Sequence, residues 1–354
     1  MSARNLCTFV RDGEIQDKGF AKCCLRAQIL CTGCAGEIAT PWPPQGQKPL
    51  SLSVNQFLRL SARIVNLLAA NDRPKSDRRN EWDFMARRSH FRDMKRRDDP
   101  IAVLTAYDAP TAKTEEAAGV DIILVGDSVG TAMLGYMSER EVTLADMRHH
   151  VGAVRRGAPK TPIIADLPYH SYDTPESALN SSRLLIAAGA DMVKFEGFLP
   201  DILAALVDAS IEVCCHLGLE PQHHEGKGVK GRKAAEASRL VRDAIALDKA
   251  GMAMLVLELM PEEVAGRVTK SVAAPTIGIG AGRETDGQVL VITDVLGFTP
   301  TNYRHNRRYQ EFGQIMLEAV STYVFDVRSK KFPAEANMFF MDRDELEKFL
   351  KDNP

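Results

Sequence analysis

Ala118-Gly119-Val120-Asp121-Ile122-Ile123-Leu124-Val125-Gly126-Asp127-Ser128 decides how this chain reads. A run of β-branched and aliphatic residues follows a glycine and ends in an acid and a hydroxyl. That is the pattern of a strand buried on both faces, delivering Asp127 and Ser128 at its C-terminal end. The grammar recurs downstream. The run from Pro162 ends in Asp166, Met192-Val193-Lys194-Phe195 in Glu196, Val213-Cys214-Cys215 in His216, and Met254-Leu255-Val256-Leu257 in Glu258. Ionisable groups at the ends of successive apolar strands predict an α/β barrel with its active site at the top.

Working outward, eight strands are predicted at 101–106, 121–126, 162–165, 191–195, 212–215, 253–257, 275–279 and 288–293. Helical spacing fills Leu144 to Arg156, Pro175 to Ala188, Pro200 to Ser210, Ala234 to Ala250 and Pro261 to Ser271. Thr174 is a cap for the second of these, and Gly119, Gly189 and Gly251 stand where helices end. One link is short: nine Gly-rich residues lie between Ile279 and Val289, whereas a parallel crossover takes about a dozen or more. Either the seventh helix is vestigial or these two strands are misplaced. His305 to Phe325 reads as a closing helix, and Asp342 to Lys351 as a short charged one.

The first 90 residues read as an extension, poorly ordered and outside the barrel. Pro41 to Pro49 is linker-like, and Leu50 to Ala70 is acid-free with Arg59 and Arg63, the composition of a targeting segment but fifty residues in. No Met lies between Met1 and Met85, so a start at Met85 fits as well. Arg87 to Asp99 reads as a solvated helix leading into the barrel. The domains are thus 1–90 extension, 91–335 barrel and 336–354 tail.

A formal charge of -2 leaves no basic footprint for nucleic acid. No apolar run reaches the roughly 18 residues of a membrane span. Five of seven Cys precede residue 35 without zinc-ribbon spacing. A reducing, cytoplasmic setting follows, or a mitochondrial one if the extension is a targeting segment.

Asp127, Asp166 and Glu196 end the second, third and fourth strands, and three converging carboxylates repel unless a cation or protons offset them. Oxygen donors alone point to Mg²⁺ before Zn²⁺. The alternative for any single acid is a helix cap or an ion pair. Lys194 faces the same way as Glu196, two residues on, and Phe195 the opposite way. An inward Lys calls for an anion, for which a carboxylate substrate is the natural partner. Glu258, on an apolar strand across the barrel, suits a general base. His216 is a donor to substrate oxygen or a structural histidine. His223 and His224 stay unassigned. Gly278-Ile279-Gly280-Ala281-Gly282 opens no helix, which excludes the dinucleotide fingerprint.

Nine ordered motifs carry a resemblance. They are Leu104-Thr105-Ala106-Tyr107-Asp108, Val125-Gly126-Asp127-Ser128, Ala153-Val154-Arg155-Arg156-Gly157-Ala158-Pro159, Ala165-Asp166-Leu167-Pro168, Val193-Lys194-Phe195-Glu196-Gly197, His216-Leu217-Gly218-Leu219, Val256-Leu257-Glu258, Ile277-Gly278-Ile279-Gly280-Ala281-Gly282 and Asp286-Gly287-Gln288-Val289-Leu290-Val291. From about residue 91 to 335 the chain resembles the ketopantoate hydroxymethyltransferase (3-methyl-2-oxobutanoate hydroxymethyltransferase) family of pantothenate biosynthesis. The resemblance implies a (β/α)8 TIM barrel of the phosphoenolpyruvate/pyruvate type, commonly a decamer. It implies Mg²⁺ at Asp127, Asp166 and Glu196, the 2-oxo acid on Asp127, Ser128, Asp166 and Lys194, and Glu258 as base. The carbon donor it implies is 5,10-methylenetetrahydrofolate, reached through a Mg-stabilised enolate. The chain departs from the family pattern at Phe198, at Met137 to Thr143, at Cys215, at Leu259-Met260 and in a shortened loop from Pro221 to Arg232. Two rivals stay open: another enolate reaction on a 2-oxo acid, and a non-catalytic relative acting in binding or assembly.

Overall fold

The computed structural model describes residues 37–38, 52–53, 84–223, 228–298 and 303–354. The chain divides into two units, Met1–Glu81 and Trp82–Pro354. In the first, Glu37–Ile38 pairs antiparallel with Leu52–Ser53. The Cys-rich start, the Pro-rich linker and most of the targeting-like stretch lie outside the described residues.

Eight parallel strands close the second unit into a barrel. They are β1 (Ile101–Thr105), β2 (Ile122–Val125), β3 (Ile163–Asp166), β4 (Met192–Glu196), β5 (Val213–Gly218), β6 (Met254–Glu258), β7 (Thr276–Ile279) and β8 (Gly287–Leu290). Each pairs with the next, and β8 returns to β1 with Gly287 opposite Ile101. The closed (β/α)8 class expected from the strand grammar is the class found.

Alternation along each strand splits the apolar residues between two cores. Ile101, Val103, Leu124, Ile164, Cys214, Met254, Val256 and Val289 point inward and fill the barrel. Ile123, Val125, Ile163, Phe195 and Leu255 point outward into the layer shared with the helices. The helix α1 (Phe84–Arg96) runs ahead of β1. Its Phe91 and Met94 are buried in the inner cluster, so this helix is part of the barrel core and not merely the solvated lead-in its charge suggested. Lys95 fixes it, donating to Thr269 O, Ala274 O and Asp286 Oδ2 at 2.8, 3.2 and 2.9 Å.

The outer ring is α2 (Ala109–Ala118), α3 (Leu144–Gly157), α4 (Pro175–Ala188), α5 (Pro200–Asp208), α6 (Ala234–Lys249) and α7 (Glu262–Ser271). Thr143 and Thr174 close capping boxes on α3 and α4. Gly119 ends α2 at φ 85°, its N–H reaching Glu115 O and Glu116 O, a left-handed position that a side chain disfavours.

Of the two alternatives for the short link, the first holds: both strands form and the seventh helix is missing. Only seven residues separate Ile279 from Gly287, and no helix forms there. Strands of four residues are about 13 Å long, and seven extended residues reach about 23 Å, so the chain returns to the barrel base without a helical crossover. β8 ends at Leu290, earlier than expected, because the Ile292 N–H donates to Thr105 Oγ1 at 3.0 Å and starts the turn of helix α8 (Ile292–Val295). The closing helix α9 (Phe312–Arg328) begins seven residues later than expected and buries none of its residues. A cavity of about 640 Å³ is lined by Ala102, Leu104, Gln288, Leu290, Val295 and Tyr309. A charged helix α10 (Arg343–Asp352) ends the chain.

Candidate active site

The C-terminal ends of β2 to β6 converge on one buried polar cluster. Asp127, Asp166, Lys194, Glu196 and His216 are all buried there. Asp127 follows β2, and Asp166 and Glu196 end β3 and β4. β6, carrying Glu258, is the fourth strand on from β2 in a ring of eight, hence diametrically opposite.

Lys194 Nζ stands 2.9 Å from Asp166 Oδ1, and the Asp127 N–H donates to Asp166 Oδ2 at 3.1 Å. Burial alone would depress the Lys194 ammonium, but Asp166, Glu196 and Asp127 outweigh it and hold the charge firmly in place. Asp127 has the opposite balance. Burial first, then repulsion from Asp166 and Glu196, pushes its carboxyl well above the usual range.

Glu196 is buried too, yet His216, Lys194 and the Gln222 N–H keep it below the ordinary carboxylate range. His216 bridges two acids, with Nδ1 3.5 Å from Glu196 Oε1 and Nε2 3.4 Å from Glu258 Oε2. Burial would lower the imidazolium, but the two carboxylates raise it to about 9, so His216 is cationic at neutral pH. Neither ring nitrogen makes a well-directed hydrogen bond.

The remaining expected residue, Ser128, is held by Tyr107, whose Oη lies 2.8 Å from Ser128 Oγ. Every expected site residue thus sits at the same mouth. Three others also stand there without having been singled out for a role in it: Tyr107, Tyr172 and Gln222. Tyr107 was legible as the second residue after β1. Gln222 lies in the loop after β5 among residues whose loop placement gave no periodicity to read. His223 joins this layer through Tyr172, 3.0 Å from its Nε2, whereas His224 and Glu225 lie outside the described residues. The Gly278 to Gly282 stretch ends β7 and makes the turn to β8.

The sequence profile of ketopantoate hydroxymethyltransferase matches residues 86–335. The 3-methyl-2-oxobutanoate hydroxymethyltransferase of a Geobacillus species is 43% identical over 269 residues, 74% of this chain and 96% of that protein. This chain belongs to the ketopantoate hydroxymethyltransferase family. The Thermus thermophilus enzyme of the same name is 47% identical over 249 residues, covering 68% of this chain and 94% of that one. The Hyperthermus butylicus enzyme is 46% identical over 264 residues, covering 73% and 91%. Among solved structures, 2,3-dimethylmalate lyase, a PEP mutase/isocitrate lyase superfamily member, covers 76% of this chain and 99% of its own at 16% identity and a TM-score of 0.48.

The family's hard-cation chemistry can be set against this donor set. Three buried carboxylates on adjacent strands, with no sulfur among them, match an oxygen-seeking ion. The raised Asp127 carboxyl marks the negative charge that an ion offsets. Among the described residues no three acidic, His or Cys side chains already stand at ion-holding distance. Lys194, Gln222 and His216 hold oxygens of Asp166, Asp127 and Glu196. The fit is one of chemistry and position.

Proposed function

We propose that this chain transfers a hydroxymethyl group from 5,10-methylenetetrahydrofolate to 3-methyl-2-oxobutanoate, giving 2-dehydropantoate. The observation that carries this reading is one mouth holding both a Lys194–Asp166 pair and Glu258, in a chain 43% identical to an enzyme named for that reaction.

Asp127, Asp166 and Glu196 would hold Mg²⁺, which as a Lewis acid polarises the substrate's keto oxygen. Lys194 and Ser128 take the substrate carboxylate, with Tyr107 orienting the Ser128 hydroxyl. Glu258, one-fifth exposed where its neighbours are buried, reaches the mouth and removes the C3 proton. The enolate carbon bonds to the folate methylene carbon as one of that carbon's two C–N bonds breaks, the freed nitrogen taking a proton. Water then displaces the second folate nitrogen, supplying the hydroxyl of 2-dehydropantoate and releasing tetrahydrofolate, while cationic His216 beside Glu258 donates toward substrate oxygen. Burial of the surrounding groups excludes water from the carbanionic carbon.

The protein works as a homo-oligomer in the cytoplasm. Phe312, Ile315, Met316, Val320 and Tyr323 of α9 are each 41–58% exposed, an apolar face that a second copy would cover. No helix among the described residues is long and apolar enough to cross a membrane.

The test is an assay of purified protein on 3-methyl-2-oxobutanoate, with and without 5,10-methylenetetrahydrofolate, in Mg²⁺ and in excess chelator. Ketopantoate should appear only with folate and Mg²⁺. Turnover without folate would point to the other enolate chemistries, and full turnover in chelator would remove the metal from the mechanism.

A further inference from the structure

Gln222 is fully buried in the loop after β5, and every polar atom of its side chain is engaged. Its Nε2 donates to Asp127 Oδ2 at 2.6 Å and to Leu167 O at 3.0 Å. Its Oε1 accepts from the Tyr172 hydroxyl. An amide whose oxygen is held by a hydroxyl donor has its NH₂ group fixed on the other side, here with one N–H on Asp127 and one on Leu167 O. Its own backbone N–H donates to Glu196 Oε2 at 2.9 Å. One residue therefore grips two carboxylates that come from different strands.

The grip has an outer support. Arg140, from the turn of 3-10 helix at Glu139–Glu141, donates from Nε to Gln222 O at 2.8 Å. Its guanidinium lies over the Tyr169 ring, 5.4 Å from the centroid. Arg140 belongs to the Met137–Thr143 stretch where this chain departs from the family pattern.

We propose that Gln222 is a positioning residue of the cation site, fixing Asp127 and Glu196 relative to each other, with Arg140 holding Gln222 in place. The proposal rests on the cation reading above. Outer hydrogen-bond partners of ligating carboxylates typically change metal affinity about 10–100-fold when lost. A buried carboxylate deprived of its donor also repels its neighbours and turns away. Gln222 does not touch the reacting atoms, so its loss acts through the ion.

The experiment is Mg²⁺ titration by calorimetry of the full chain, for wild type, Gln222→Met and Arg140→Leu, with steady-state kinetics at low and saturating Mg²⁺. Met keeps the length of Gln and removes its side-chain hydrogen bonds, so the hold on Asp127 is lost while the backbone N–H stays on Glu196. The expected result is a roughly 10–100-fold weaker Mg²⁺ affinity for Gln222→Met, a raised KM at low Mg²⁺, and kcat largely recovered at saturating Mg²⁺. Arg140→Leu should weaken affinity less, in the same direction. If Gln222→Met does not fold, Arg140→Leu decides: weaker Mg²⁺ binding supports the proposal, and unchanged binding overturns it. Wild type and folded Gln222→Met binding Mg²⁺ equally overturns the Gln222 role alone. A wild type that binds no Mg²⁺ overturns the cation site and this proposal together.

Discussion

Lys194 Nζ lies 2.9 Å from Asp166 Oδ1, with side chains only 6% and 3% exposed. An ammonium and a carboxylate this deeply buried are each the other's main compensation. Removing one partner of such a pair typically costs about 3–5 kcal/mol. Lys194→Met should therefore lower the melting temperature and leave Asp127, Asp166 and Glu196 with excess negative charge. Mg²⁺ should then raise the melting temperature of Lys194→Met more than that of wild type. Scanning calorimetry with and without MgCl₂ reads this directly, and equal Mg²⁺ shifts in both proteins would count against three carboxylates sharing an ion.

Glu115 offers a pH test away from the site. It sits on α2, 4% exposed, and neither carboxyl oxygen has a hydrogen-bond partner. Burial, with a smaller push from Asp108, raises its carboxyl from 4.5 to about 8. A folded-state pKa above the unfolded value means that the folded chain binds the extra proton. Its contribution to stability is complete below about pH 4.5 and is lost as pH rises to about 8. Glu115→Gln should flatten stability across that window and stabilise the protein at pH 8, by an amount on the order of a few kcal/mol. Urea melts at pH 5 and pH 8 test it. An unchanged pH slope would mean that Glu115 finds a partner in solution.

The barrel should not need the residues before α1. A chain starting at Met85 should fold and keep its activity, because Phe91 and Met94 still plug the inner core. One starting at Pro100 should lose both, since it uncovers that core and removes the three Lys95 hydrogen bonds. Burying a Phe or Met side chain is worth about 1.5–3 kcal/mol each. Circular dichroism melts of the two truncations compare them.

Strand positions were legible because parallel strands buried on both faces read as apolar runs, and because five of the eight runs ended in an ionisable residue. The side-chain period of two was enough to send Lys194 and Glu196 inward and Phe195 outward. What escaped depends on long-range contact. The burial of Phe91 and Met94 was hidden within a strongly charged helix, since the plug is two residues wide. The exposed course of α9 contradicts its own apolar content, which as sequence reads like a packed helix. Gln222 reaches Asp127 across 95 positions, and no local pattern encodes such a bond. His216 could be placed at the mouth from Val213-Cys214-Cys215, but its charge depends on Glu196 and Glu258 on either side.

Proton abstraction by Glu258 is separable from folate. In D₂O with Mg²⁺, the enzyme should exchange the C3 proton of 3-methyl-2-oxobutanoate, followed by NMR, with no chemical need for folate. Glu258→Gln keeps the shape of the side chain but takes no proton. Loss of a general base typically lowers the rate about 10²–10⁴-fold. That fall in exchange is expected for Glu258→Gln, with substrate binding little changed. Exchange by Glu258→Gln at the wild-type rate would contradict it and place the base elsewhere in the mouth.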